Sequence, residues 1–209
     1  MIQTENLTYQ YNKRGAILSF SNITLDKGEN LLILGESGTG KTTLLHLLAG
    51  LLKPATGKIL INKVNLICLK SNKLDQFRGK NVGLVFQKKH AIESLNVFNN
   101  LKARLLFSNA LVSDKQIEIV LKQLDLSDLK KSKVSELSEG QLQRLGIALS
   151  VIHNPQVILA DEPTSSLDDK NCKIVIELLI KQAKQTKANL IVITHDHRIK
   201  SFFKNSITL

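Results

Sequence analysis

The sequence predicts an α/β fold in which parallel strands alternate with crossover helices. Three observations carry this. An apolar run, Leu31–Leu34, leads into a glycine-rich loop and then a helical stretch, Lys41 to Leu51. From Val157 onward strand and helix patterns alternate: Val157–Ala160, a helix near Asp169–Lys184, then Leu190–Thr194. That order suits parallel strands joined by helices. Between about residues 88 and 153 the strand patterns vanish, and apolar residues recur at helical spacing.

Taken in order, the first 87 residues are mostly short β-like runs: Ile2–Tyr9, Ile17–Leu25, Asn30–Leu34, Lys58–Ile61 and Val82–Phe86. Gly15, Gly28, Gly57 and Gly79 punctuate them as turn signals. The helix from Lys41 is the one interruption, and it is expected to stop before Lys53-Pro54. In the helical stretch, Leu101, Leu105 and Leu106 are followed by Ile117, Val120, Leu121 and Leu124. Ser113-Asp-Lys-Gln116 resembles a capping box opening the second of these helices. After Thr194 only Ile207–Leu209 offers a last strand.

Composition bounds the function. The 209 residues can bury a core without disulfides. With 43% hydrophobic and 22% charged residues, disordered and collagen-like chains are excluded. Lys plus Arg is 29 against 18 for Asp plus Glu, a net +11. Such a charge suits an anionic partner (nucleotide, nucleic acid or an acidic membrane face) and equally a solvated basic surface. Cys68 and Cys172 form no C-x-x-C pair and are expected as reduced thiols in the core. The longest apolar run, Leu44–Leu52, is broken by His46 and far too short to span a bilayer. Met1–Asn6 has neither region of a signal peptide, so the protein is expected in the cytoplasm.

Gly35-Glu36-Ser37-Gly38-Thr39-Gly40-Lys41-Thr42 fits G-x-x-x-x-G-K-[ST] between strand and helix. Gly35, Gly38 and Gly40 are expected to allow positive φ, so that the loop wraps phosphate oxygens with its N–H groups. Lys41 would reach the β- and γ-phosphates and the Thr42 hydroxyl would ligate Mg²⁺. Val157-Ile-Leu-Ala160 ends in Asp161-Glu162. Asp161 would hold the metal through water, and Glu162 would act as general base toward the attacking water.

A third motif chooses among nucleotide enzymes. Leu137-Ser138-Glu139-Gly140-Gln141 precedes the acidic strand end by about twenty residues. Here the sequence resembles the ATP-binding cassette (ABC) family, whose signature is L-S-G-G-Q. The resemblance implies a helix N-terminus at Ser138 aimed at the γ-phosphate of ATP on a second subunit, with Ser138, Gly140 and Gln141 as contacts. It also implies a Q-loop glutamine at Gln87, touching metal and water, and a D-loop in Ser166-Leu167-Asp168 at the dimer interface. His195 matches the switch histidine that contacts the γ-phosphate. Thr43 belongs to the nucleotide loop, and Tyr11 resembles the adenine-stacking aromatic, with Tyr9 competing for that role. Glu139 departs from the family's glycine and would set an acid beside the γ-phosphate.

The resemblance covers the whole chain. It implies a P-loop NTPase with a RecA-like core, an N-terminal antiparallel β portion and an α-helical signature subdomain. The single ABC domain of 1–209 would divide into a catalytic core (1–87 and 154–209) and a helical subdomain (88–153), with no regulatory extension after it. Thr43–Gly50, Val82–Gln87 and Asp161–Asp168 look like the lipoprotein-release and macrolide-efflux branch, to which the cell-division ATPase is also similar. The implied function is ATP binding and hydrolysis, with Mg²⁺, by two subunits that sandwich two ATP and drive an integral membrane permease from the cytoplasmic face. Lys88-Lys89-His90 would sit where a permease helix docks, or form a solvated basic face. Two alternatives drop transport: mechanical signalling as in cell division, or a soluble nucleic-acid-linked ATPase. Direct nucleic-acid binding is not expected, because only about 95 residues separate Thr42 from the signature, too few for the long coiled coils of chromosome and repair ATPases.

Overall fold

The computed structural model of the chain describes residues 1–12, 15–86, 91–108, 113–165 and 167–209. Its frame is a five-stranded parallel sheet. The strands are β4 (Asn30–Leu34), β7 (Val82–Val85), β8 (Val157–Asp161), β9 (Asn189–Thr194) and β10 (Asn205–Thr208), in the spatial order β10-β4-β9-β8-β7. Their near-continuous apolar runs fit strands covered on both faces. Leu32, Leu34, Ile158, Ala160, Leu190 and Val192 face one apolar cluster. Leu31, Ile33, Leu159, Ile191 and Ile193 face the other. The side-chain period of two thus deals alternate residues to opposite cores.

The second core lies under an antiparallel sheet. Here β1 (Ile2–Tyr9) pairs with β2 (Leu18–Ser19), β3 (Thr24–Leu25) and β5 (Thr56–Ile61), and β5 continues into β6 (Val64–Asn65). Helix α1 (Lys41–Leu48) fills the space between the sheets with Leu44, Leu45, Leu47 and Leu48. The first core takes α3 (Val97–Ser108), α4 (Asp114–Gln123), α5 (Glu139–Val151) and α6 (Asp169–Thr186). Helix α5 lies hard against β7: a Cβ on Gly83 would meet the Ser150 carbonyl oxygen at 2.1 Å, so only glycine permits the approach.

Several expectations are corrected. Between β6 and β7 lies a helix, α2 (Ser71–Asn81), where only strands were expected. None of its residues is fully buried, which is why no apolar periodicity marks it, and Gly79 is helical rather than a turn. The expected run Ile17–Leu25 is two short strands, because both pair with different stretches of β1 across a register shift. Asn6 sits in that shift at φ 47° and donates its amide to the Asn22 side chain. Helix α1 stops at Leu48 rather than Leu51: Gly50 turns left-handed at φ 66°, and the Leu51 and Leu52 amides bond back to the His46 carbonyl. Ser113 precedes α4, but its side chain makes no capping bond. Leu101 and Leu105 are buried, whereas Leu106 is 77% exposed. Cys172 is buried as expected, but Cys68 is exposed.

Candidate functional site

The loop from β4 to α1 forms one wall of a cleft of about 630 Å³. Ser37, Gly38, Gly40, Lys41, Thr42 and Thr43 line it, and Tyr11, Glu162 and His195 close it from just past the ends of β1, β8 and β9. Gly38 and Gly40 have φ of 87° and 95°, as a phosphate-wrapping loop needs. Gly35 does not take positive φ; its requirement is space. A Cβ there would stand 2.9 Å from the Thr39 hydroxyl and 3.0 Å from the Leu209 carbonyl oxygen.

Lys41 is buried, and its ammonium donates to the Gly35 and Glu36 carbonyls, both at 2.8 Å. Thr39 closes the same turn by donating to the Glu36 carbonyl at 3.0 Å. The cation is thus held inside the loop, 4.0 Å from Glu162 Oε1.

Parallel pairing of β4, β9 and β8 brings the acidic strand end beside this loop. The Thr42 hydroxyl lies 3.4 Å from Asp161 Oδ1. Burial pushes the Asp161 carboxyl above its usual range, against the Thr42 hydrogen bond that lowers it. Hydroxyl and carboxylate are hard oxygen donors of the kind Mg²⁺ takes alongside phosphate and water. No cluster of three or more His, Cys, Asp or Glu stands ready for a metal among the described residues, so these two donors fit a nucleotide-completed site and no protein-only cage.

Glu162 sits at φ 47°, a left-handed conformation uncommon outside glycine and aspartate-like residues. Its amide donates to the Ile193 carbonyl, which ties it to β9. Its carboxylate accepts from the Thr194 hydroxyl at 2.7 Å, the His195 amide at 3.1 Å and the His195 Nδ1 at 2.9 Å. Thr194 carried no signal in the sequence; only the pairing of β8 with β9 reveals it. Tyr11 lines the cleft, with its hydroxyl 2.7 Å from that of Thr43 and its ring edge-to-face with Tyr9 at 4.8 Å. Tyr9 packs against the second core instead.

Ser138, Gly140 and Gln141 are not in this cleft. Ser138 is exposed at the N-terminus of α5 and forms a capping box with Gln141. The Ser138 amide donates to Gln141 Oε1 at 2.8 Å, so that side chain is engaged in its own helix start. Gln143, two residues on, is buried and donates to the Pro163 carbonyl at 3.0 Å, which fastens α5 to the turn after Glu162. Gln87, Lys88, Lys89, His90 and Ser166 lie outside the described residues. A second hollow, a groove of about 450 Å³, runs from Arg78 past Val85 and Phe86 to Arg104 and Phe107. Among the described residues no helix is long and apolar enough to cross a membrane.

A family profile described as ABC transporter matches residues 18–165. The lipoprotein-releasing system ATP-binding protein LolD of Buchnera aphidicola subsp. Acyrthosiphon pisum is 39% identical over 183 residues, covering 86% of this chain and 80% of the relative. The uncharacterized ABC transporter ATP-binding protein YvcR of Bacillus subtilis is 35% identical over 215 residues, covering 99% and 83%. Among solved structures, the dimeric post-hydrolysis state of the ATP-binding cassette MJ0796 bound to ADP and Pi superposes with a TM-score of 0.88 at 31% identity, covering 100% of this chain and 94% of that one.

Proposed function

The chain belongs to the ABC transporter family, and from that premise we propose that it is the ATP-hydrolysing subunit of a transporter, working as a dimer beneath an integral membrane permease. One observation carries the dimer: Ser138, Gly140 and Gln141 lie outside the cleft that holds Lys41 and Glu162. A helix N-terminus that serves no nucleotide in its own subunit is available to a second subunit's nucleotide.

Within each cleft the roles divide. Amides of the Gly35–Thr43 loop bind the phosphates, Lys41 neutralises the β- and γ-phosphates, and Tyr11 stacks on adenine. Thr42 and Asp161, with Gln87, would hold Mg²⁺, which neutralises charge on the transferring phosphoryl group. Glu162 takes the proton of the attacking water. His195 orients Glu162 through its Nδ1 contact and would reach the γ-phosphate of bound ATP. Helices α3, α4 and α5 move as the unit that presents the signature.

The groove from Arg78 to Phe107 is lined in part by Phe86, directly before Gln87 in the sequence, and suits a short cytoplasmic helix of the permease. Resemblance to a lipoprotein-releasing ATP-binding protein supports a permease of that branch, one acting on lipid-anchored cargo. The cytoplasmic membrane face follows from a permease anchor.

Size exclusion of Glu162→Gln tests this reading. With ATP and Mg²⁺ the variant should elute as a dimer and with ADP as a monomer, while hydrolysis is lost. A variant that stays monomeric with ATP, beside an unaltered chain that hydrolyses it, overturns the sandwich. Co-purification of an integral membrane protein with a tagged chain at high salt tests the permease.

A further inference from the structure

Arg198 lies outside the cleft, in the 3₁₀ turn His197–Phe202 after β9. Its guanidinium nevertheless binds two loops at once. Nε and Nη2 grip the two oxygens of Asp196 at 2.9 and 2.8 Å. Nη1 reaches Asp169 Oδ1 at 2.5 Å, and Nη2 also donates to the Leu167 carbonyl at 3.2 Å. Leu167 to Asp169 is the segment that opens α6, and Asp196 directly follows His195.

The contacts continue without a break into the cleft. Asp196 is buried and accepts the Thr164 hydroxyl at 2.9 Å. Its amide donates to the Thr194 hydroxyl at 3.0 Å. That hydroxyl donates in turn to Glu162 at 2.7 Å. A path therefore runs from the Leu167 carbonyl through Arg198, Asp196 and Thr194 to the carboxylate of Glu162. Only a planar fork fits this arrangement, because the acceptors diverge: a lysine ammonium could meet Asp196 but not also Asp169 and the Leu167 carbonyl.

We propose that Arg198 is a positioning residue for ATP hydrolysis, clamping the Leu167–Asp169 segment to the Thr194–Asp196 segment so that Thr194 and His195 hold the Glu162 carboxylate in place. The proposal rests on the ATPase-dimer reading above. It makes Arg198 matter to turnover and not to nucleotide affinity, since no atom of Arg198 lines the cleft.

Arg198→Lys and Asp169→Ala test it together. The lysine keeps a cation beside buried Asp196, so the fold is retained, and the alanine removes the clamp's other arm without touching Asp196. Both variants should bind a fluorescent ATP analogue within twofold of the unaltered chain and melt within a few degrees of it. Their kcat should fall about tenfold or more with KM little changed, the size of effect expected from a small displacement of a reacting group. The proposal is overturned if both variants turn over within twofold of the unaltered chain, or if kcat falls only in step with affinity and melting temperature. Absence of hydrolysis by the unaltered chain would instead overturn the ATPase reading, so the two failures are told apart in one assay.

Discussion

His195 Nδ1 stands 2.9 Å from Glu162 Oε1, while the other carboxylate oxygen takes the Thr194 hydroxyl at 2.7 Å. Both carboxylate oxygens of Glu162 therefore have donors, since Oε1 also takes the His195 amide. Of these donors the imidazole is the one able to swing away and open a further lone pair of Oε1 to water, because its ring is half exposed on a loop while Thr194 is fully buried in β9. His195→Ala should keep ATP affinity within about twofold and lower turnover by roughly a hundredfold. Steady-state hydrolysis beside equilibrium nucleotide binding measures both; turnover at the unaltered level would remove His195 from the site.

The Lys41 ammonium donates to two carbonyls of its own loop and, on the reading proposed above, contacts phosphate. Charge-assisted contacts of this kind contribute about 1.5–3 kcal/mol. Lys41→Ala should weaken ATP binding by roughly 10- to 150-fold and abolish hydrolysis. Isothermal titration with ATP and Mg²⁺ checks the first, and phosphate release the second.

Ser138→Arg should leave ATP binding to the monomer intact, because Ser138 is absent from its own cleft. The loss of its cap costs about 1 kcal/mol of stability. Hydrolysis should be lost for want of a closed dimer. Mixing this variant with Lys41→Ala gives a complementary readout: heterodimers regain one complete site, so activity should reappear on mixing.

His153 is buried with its Nδ1 unpartnered, while Arg104 donates to Nε2 at 2.9 Å. Burial, and then the Arg104 charge, hold its pKa down to about 3, against the Val82 carbonyl. An unfolded chain takes up this proton near pH 6.5 and the folded one does not. Stability from this group is therefore complete above pH 6.5 and drains away as pH falls toward 3, by about 1.4 kcal/mol per pH unit. In urea titrations between about pH 6 and 4, His153→Gln should show a shallower decline by that amount.

The nucleotide loop and its helix were legible because the chemistry is local: Gly35 to Thr43 are consecutive, flanked by an apolar strand and an apolar helix. The strands β1 and β4 matched their sequence patterns residue for residue. Helix α2 was hidden because Leu74 and Phe77 are only half buried and nothing in it is fully so. The split of β2 from β3 depends on the bulge at Asn6, which alternating apolar residues do not report. In the site, Glu162 and His195 were legible by motif, but the Thr194 and Arg198 contacts were not. Arg198 meets Asp169 across 29 residues and Thr194 meets Glu162 across 32, distances that only the sheet closes.

The alternation of side chains through the parallel sheet makes that sheet a partition between two compartments of one molecule. Leu190 belongs to the compartment of α5 and α6, and its neighbour Ile191 to that of α1 and the antiparallel sheet. Truncating either to alanine opens a void of similar size, with a cost of about 2–5 kcal/mol. The first void slackens the side that carries the signature helix, and the second the side that carries the phosphate loop. Adjacent letters of the sequence are thus separate handles on the two halves of a hydrolysis cycle.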